Sequence, residues 1–517
     1  MGRFEWVCLA ALAALAFAPL IGMLVRVWTQ GGIFTGADSY LVADPLQYLN
    51  WLRQAGDHVG VANLYDLAPG PHSFVHPGLI ISGLAHRLGL GIVAAYMIWK
   101  PVAIAALFAG ALATVRRFLD RPGDRHLALV LALFACMPVA ALVGWSGLGG
   151  GATKLDFDFI SGELWTGSYV WGYLFTGVAV GLLPLSLLAY ERGRGDGPVG
   201  MLAWAAAGGL LCAWLQPWQG ITLALVVAAA EALAWRRDRR ALSLVARDAV
   251  PMLMAVALPL VYYLILSRTD PSWELAGVIN DIPRWPWWVT VLGLAPLAIP
   301  AAFAYRLPAP GFGDLALRAW PLAGLLIFYQ PAGTFPFHAF QGLTLPLAVL
   351  GVVALRGWIG ERPVPLWPAL AAVAILVVPG TVYRVDELRG AVQVGRQAFF
   401  LEPGERDALR WLERAPQKGG VLSTAYSGAV IPAYSGRETW IGAGSWTPDG
   451  ARRGLLTDAL FSGRIGRDEA ERIVRESGAR FVYVDCHDRA DVTPLIQRVA
   501  GPPRRFGCAT VYEVRGA

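Results

Sequence analysis

Long apolar runs, each closed by a cluster of arginines or by a polar loop, repeat along the first three-quarters of this chain. About 20 apolar residues are needed to cross roughly 30 Å of hydrocarbon. Runs near 6–28, 91–115, 126–146, 169–190, 200–215, 218–235, 249–267, 287–305, 319–331, 341–356 and 364–380 therefore predict about eleven transmembrane helices. The segments Gln216-Pro217-Trp218-Gln219-Gly220 and Gln330-Pro331-Ala332-Gly333 read as hairpin tips or as breaks in longer helices. Pro and Gly there remove backbone hydrogen bonds, which a bilayer tolerates only where the backbone lines a cavity or reaches water.

The breaks alternate in charge. One set carries Arg116-Arg117 with Arg121 and Arg125, Arg192 and Arg194, Arg236-Arg237-Asp238-Arg239-Arg240, Arg306 and Arg318, and Arg356 and Arg362; the other holds only scattered cations. By the positive-inside rule this puts the N-terminus in the cytoplasm and the tail outside the inner membrane. The run from Trp6 to Val27 exceeds a signal-peptide core, and Arg26 and Val27-Trp28 make a poor cleavage site, so it reads as a retained helix. A composition of 56% hydrophobic and 15% charged residues agrees with a polytopic membrane protein. The net charge of +6 is accounted for by these topology arginines, and no nucleic-acid-binding motif is present.

Two domains are expected. Residues 1–380 form the transmembrane part, with a long first outer loop at 29–90. Its stretches Leu46–Gln54 and Gly78–Leu88 have helical apolar spacing and suit short interfacial helices. From about Thr381 charged residues return and apolar runs shorten. Residues 381–517 read as an extracytoplasmic α/β domain, with helices near 406–414, 449–461 and 468–477 and strands near 420–423, 480–485 and 510–514. Cys8, Cys136 and Cys212 lie in apolar runs, whereas Cys486 and Cys508 share the tail and suit a disulfide in an oxidising compartment. No zinc spacing is present.

The polar chemistry concentrates in the outer loops. Asp44, just beyond the first apolar run in Ala37-Asp38-Ser39-Tyr40-Leu41-Val42-Ala43-Asp44-Pro45, can serve as a general base at the membrane surface, with Asp38 beside it. Asp44 can equally cap a helix over Pro45–Gln54, since Pro follows at the first helical position. His58, His72, His76, Lys154, His338, Gln341 and Trp218 are the outer-side candidates for a substrate phosphate. Asp156-Phe157-Asp158 is a DxD on the 147–168 loop. Its two acids are second choices for catalysis, and would hold Mg²⁺ or Mn²⁺ if a metal is used. A solvated loop explains the same letters. His72 and His76 have metal-binding spacing only on a helix, which Pro71 and Pro77 argue against. Gly149-Gly150-Gly151 lacks the Lys-Ser/Thr of a phosphate loop, which argues against ATP.

Asp44-Pro45-Leu46-Gln47-Tyr48-Leu49, Asn63-Leu64-Tyr65-Asp66 and His76-Pro77, set in this layout, resemble membrane enzymes of the glycosyltransferase-C superfamily, especially uncharacterised actinobacterial members. The resemblance implies an α-helical polytopic fold with an outer α/β domain. It further implies an inverting hexosyl or pentosyl transferase that takes sugar from a polyprenyl-phosphate carrier to a cell-envelope glycan, lipid or protein acceptor, often without metal. The rivals are a transporter or flippase of lipid-linked saccharides and a non-catalytic scaffold. A transporter should carry ionisable residues at mid-membrane. Here only Lys100 and Glu231 interrupt the runs, both near helix ends.

Overall fold

A computed structural model describes residues 1–330, 335–363, 365–392, 398–487 and 490–516. Nine of its helices are long and apolar enough to cross a membrane: Arg3–Gln30, Ile92–Phe118, Leu174–Gly193, Pro217–Asp238, Leu242–Thr269, Trp287–Arg306, Phe312–Tyr329, Pro336–Ile359 and Leu366–Ala391. The expected count of about eleven is thereby reduced to nine, or ten with one bent pair. All eleven runs are helical, but two fall short as spans. The third is split into Pro122–Phe134 and Pro138–Ser146, bent by 44°. The fifth, Val199–Leu215, has 17 residues, roughly 25 Å at 1.5 Å per residue.

The bend follows from Pro138, which cannot donate to a preceding turn. The backbone is extended at Ala135 and opens again before Pro138. Cys136 instead donates its N–H to the Leu376 carbonyl at 2.8 Å. Gly380 makes that approach possible, because a Cβ there would lie 2.4 Å from the Cys136 oxygen.

The chain forms two compact units. One comprises Met1–Ala18, Trp99–Ile265 and Asp281–Glu387; the other comprises Pro19–Ile98, Leu266–Asn280 and Leu388–Ala517.

In the first unit, buried polar groups sit where the helices need them. Pro19 inside the first helix has no N–H for the Leu15 carbonyl. The Trp171 indole donates to that oxygen at 2.7 Å, and the Lys100 ammonium donates to Ala16 at 3.1 Å and Val170 at 2.5 Å. A fully buried lysine is thus held by carbonyls at a proline break. Several arginines of the charged breaks clasp helix ends. Arg116 pairs with Glu5, Arg117 with Glu191, Arg194 bidentately with Glu231, and Arg356 with Asp124.

In the second unit, β1 (Ile33–Phe34) pairs antiparallel with β2 (Phe400–Leu401). A second sheet has the order β3-β4-β6-β5. Here β3 (Val421–Leu422) runs parallel to β4 (Phe481–Val484), while β6 (Ala509–Glu513) is antiparallel to both β4 and β5 (Arg504–Phe506). Leu422, Val482 and Tyr512 pack with Phe461, Ile473 and Val474 from the helices Gly450–Phe461 and Arg467–Ser477. Cys486 and Cys508 form a disulfide. A further helix, Ala425–Ser435, is absent from the sequence reading because Gly428 and Pro432 lie inside it. Gly428 is required, since a Cβ there would overlap the Ile441 carbonyl at 1.8 Å.

Candidate functional site

The Asp44 segment lies in the second unit. Gly36 at φ +97° turns the chain beside Leu49 and Val93, where any Cβ would crowd both. Asp38 follows, fully buried. The next helix spans Ala43–Ala55, with Val42 at its N-cap and no side chain capping it. This corrects the capping alternative: Asp44 stands in the first turn, half-buried, rather than before a helix that starts at Pro45. An acid there is favoured by the helix dipole by about 0.3–1 kcal/mol. Its charge is felt by two tyrosines: burial raises the hydroxyls of Tyr48 and Tyr65 well above their ordinary range, and Asp44 adds to the rise.

Tyr65 is fixed from several directions. Its N–H donates to Asn63 Oδ1 at 2.9 Å and its hydroxyl to the Ala429 carbonyl at 3.3 Å. Asn63 Nδ2 donates to the Trp446 carbonyl at 2.8 Å. Asp66 pairs with Arg453 at 2.9 Å. Trp51, Phe74, Trp273 and Trp446 form an aromatic cluster with ring centroids 4.8–6.5 Å apart. Residues 51–74 are therefore bonded to the C-terminal segment. The matched motifs Asn63-Leu64-Tyr65-Asp66 and Asp44-Pro45 converge on one another.

The loop histidines separate. His76 caps the helix Pro77–Arg87, its Nδ1 accepting the Leu79 N–H at 3.4 Å. His58 and His72 are exposed with rings 4.4 Å apart, and burial together with His58 holds His72 below its ordinary value.

In the first unit, the stretch expected to be a loop carrying the DxD is a helix, Gly150–Leu164. Residues two apart on a helix diverge by about 200°, so Asp156 and Asp158 cannot chelate one ion together. Among the described residues no three His, Cys, Asp or Glu gather as metal ligands. The donor set therefore does not fit a Mg²⁺ or Mn²⁺ site. Burial raises both acids, with Glu387 adding to Asp158. Asp158 contributes its carbonyl to Arg384, which also pairs with Glu387 at 2.5 Å. Lys154, one turn before Asp158, is exposed.

The same helix supplies Glu163 to a polar cluster. Its Oε2 lies 2.9 Å from Nδ1 of His338, on the short helix Pro336–Phe340. Gln341 lies 3.1 Å from the same Nδ1, and Gln216 lies 3.3 Å from both Gln341 and Thr176. Gln219 Nε2 donates to the His338 carbonyl at 3.0 Å. One ring nitrogen cannot donate to Glu163 and also accept from Gln341. With the proton shared toward Glu163, both amides turn so that Gln341 presents its oxygen. Phe335 stacks on the His338 ring with centroids 5.3 Å apart. It adopts φ +50°, a strained state for a bulky residue. Phe337 and Phe340 are buried against Trp285, and Trp218 is half-buried.

His338 and Gln341 were visible from sequence as polar residues between apolar runs. Glu163 was not singled out, since nothing in the letters ties it to a residue 175 positions away. Gln216 and Gln219 did leave a signal, as two amides flanking Pro217 inside an apolar stretch. Of the second break, Pro331–Thr334 lies outside the described residues.

No protein-family profile matches the sequence, and no curated protein does. Solved structures do match. The Archaeoglobus fulgidus oligosaccharyltransferase in its apo form is 14% identical with a TM-score of 0.54, over 96% of this chain and 73% of that one. The Archaeoglobus fulgidus oligosaccharyltransferase AglB, in complex with an inhibitory peptide and a dolichol-phosphate, is 14% identical with a TM-score of 0.52, over 97% and 73%. ArnT from Cupriavidus metallidurans bound to undecaprenyl phosphate is 12% identical with a TM-score of 0.52, over 99% of this chain and 98% of that one. The chain therefore shares its fold with these solved structures, as the resemblance drawn in the sequence led one to expect of the fold.

Proposed function

We propose that the protein is an inverting glycosyltransferase that moves a sugar from a polyprenyl-phosphate carrier to a cell-envelope acceptor at the outer face of the inner membrane. Because one fold hosts many chemistries, the reading rests on side chains as well as on the fold. What supports it most is Asp44, a half-buried acid in the first turn of the helix Ala43–Ala55, just beyond the first apolar run. In this reading the acceptor hydroxyl gives its proton to Asp44 as its oxygen attacks the anomeric carbon. The sugar–phosphate bond breaks with inversion, and the carrier leaves as a polyprenyl monophosphate. His338, within the first unit, is by itself a candidate ligand for a carrier phosphate. Its Nδ1 is engaged, and no described residue hydrogen-bonds its Nε2.

The test is Asp44→Asn in purified protein supplied with a panel of synthetic polyprenyl-phosphate hexoses and pentoses. Loss of the proton acceptor should lower turnover by about two to four orders of magnitude while leaving the folded yield unchanged. Asp38→Asn, Asp156→Asn and Asp158→Asn should cost less. Wild-type turnover by Asp44→Asn would move the base elsewhere. Release of no sugar from any donor by the wild type would remove the transferase reading.

A further inference from the structure

We propose that Glu163 is a positioning residue that orients His338, so that the ring's Nε2 edge grips the phosphate of an isoprenoid carrier. This deepens, and rests on, the assignment of His338 to the carrier phosphate. The geometry has three parts. Glu163 Oε2 is 2.9 Å from His338 Nδ1, so that nitrogen carries a proton and the ring is oriented. The imidazole is 24% exposed, and no described residue hydrogen-bonds its other nitrogen. Phe335 stacks on the ring at an interplanar angle of 18°, and Gln219 holds the backbone carbonyl of His338.

A neutral imidazole whose Nδ1–H points at Glu163 would offer a phosphate only the lone pair of Nε2, which repels it. A protonated ring between two anions, carboxylate on one side and phosphate on the other, satisfies both. Glu163 takes the Nδ1–H, which leaves Nε2–H for the phosphate when the carrier binds. The amides of Gln341, Gln216 and Gln219 gather around the pair without adding charge. The strain at Phe335 is consistent with a site in which ring placement takes precedence over backbone comfort.

The experiment measures binding of undecaprenyl phosphate to the full chain in detergent, with undecaprenol as the phosphate-free control. His338→Gln should weaken undecaprenyl phosphate binding about tenfold, the loss of one hydrogen bond to a charged group. Glu163→Gln should weaken it about three- to tenfold. In the His338→Gln background, Glu163→Gln should change affinity less than about twofold, since a residue that acts through His338 has nothing left to act on. Undecaprenol should bind every variant alike. An effect of Glu163→Gln that persists undiminished without His338 would make Glu163 merely structural and overturn the proposal. Unchanged binding in both single variants would also overturn it, while leaving the transferase reading intact. Absence of wild-type binding would remove the carrier reading as well.

One measurement needs no substitution at Glu163. Histidine ¹⁵N NMR of the wild-type chain, with His338 assigned by its loss in His338→Gln, should show both ring nitrogens protonated once undecaprenyl phosphate is added. A neutral ring in that complex would overturn the proposal.

Discussion

Arg437 carries a buried charge with carbonyls, not a carboxylate, as its hydrogen-bonded partners, and removing it has a calculable local cost. Its Nε donates to Leu412 at 2.5 Å, Nη1 to Gln417 and Gly419 at 2.9 Å each, and Nη2 to Ala415 at 2.8 Å. The guanidinium lies 4.7 Å over the Phe481 ring, and the residue is 7% exposed. Burial lowers its proton affinity. The first two of these carbonyls along the chain belong to the end of the helix Pro403–Arg414, where the last C=O groups have no partners inside the helix. The others belong to the turn that leads into β3. Arg437→Met keeps the bulk but leaves four carbonyls without their donor. At about 1 kcal/mol per bond, more where the donor is charged, with some return from no longer burying a cation, the local cost is about 3–5 kcal/mol. Arg437→Lys offers one nitrogen in place of a planar fork and recovers less than half of that. Hydrogen exchange of amides 410–422 is the direct assay. A loss of 3–5 kcal/mol reduces protection by about two to four orders of magnitude. A change below about threefold in Arg437→Met would refute the reasoning and show that the turn is held by its own backbone and by Phe481.

Three other outcomes follow from the same geometry. Burial, with the Asp485 charge adding to it, raises the Glu405 carboxyl above its ordinary value. A raised acid contributes stability that is complete below pH 4.5 and is lost as pH rises through the raised value, so the melting temperature of the C-terminal segment should fall across that window. Glu405→Gln should flatten the fall, and an unchanged slope would reject the linkage. Removing the Cys486–Cys508 disulfide, which spans 22 positions, should destabilise the same segment by about 3 kcal/mol, read as earlier proteolysis under reducing conditions. Lys100→Met should leave the Ala16 and Val170 carbonyls without that donor and lower thermal stability in detergent by about 2–4 kcal/mol. Lys100→Arg should recover only part of it, and a fully stable Lys100→Met would mean that the Ala16 and Val170 carbonyls are satisfied without the ammonium.

What the letters disclosed depended on whether the signal was periodic or relational. Apolar length is periodic, and every one of the eleven runs is helical. The number of spans was less legible, because Pro138 divides one run and a single turn decides whether Val199–Leu215 is long enough to cross. The helices Pro403–Arg414 and Arg467–Ser477 were visible because charged and apolar residues alternate on them at helical spacing. Ala425–Ser435 was not, because Gly428 and Pro432 carry local signals that tertiary packing against Ile441 overrides. Asp156-Phe157-Asp158 misled in the opposite sense: a motif that requires a loop to bring two carboxylates together lies on a helix that separates them. Asp44 is proposed from its place after the first run, a relation that sequence order preserves. Glu163 was invisible because its meaning depends on His338, and no spacing rule connects an acid on one helix to an imidazole between two others. Once the fold brings them to 2.9 Å, the acid changes what the histidine can do. In the proposed site the carboxylate turns the ring, so that its second nitrogen is the edge a phosphate meets.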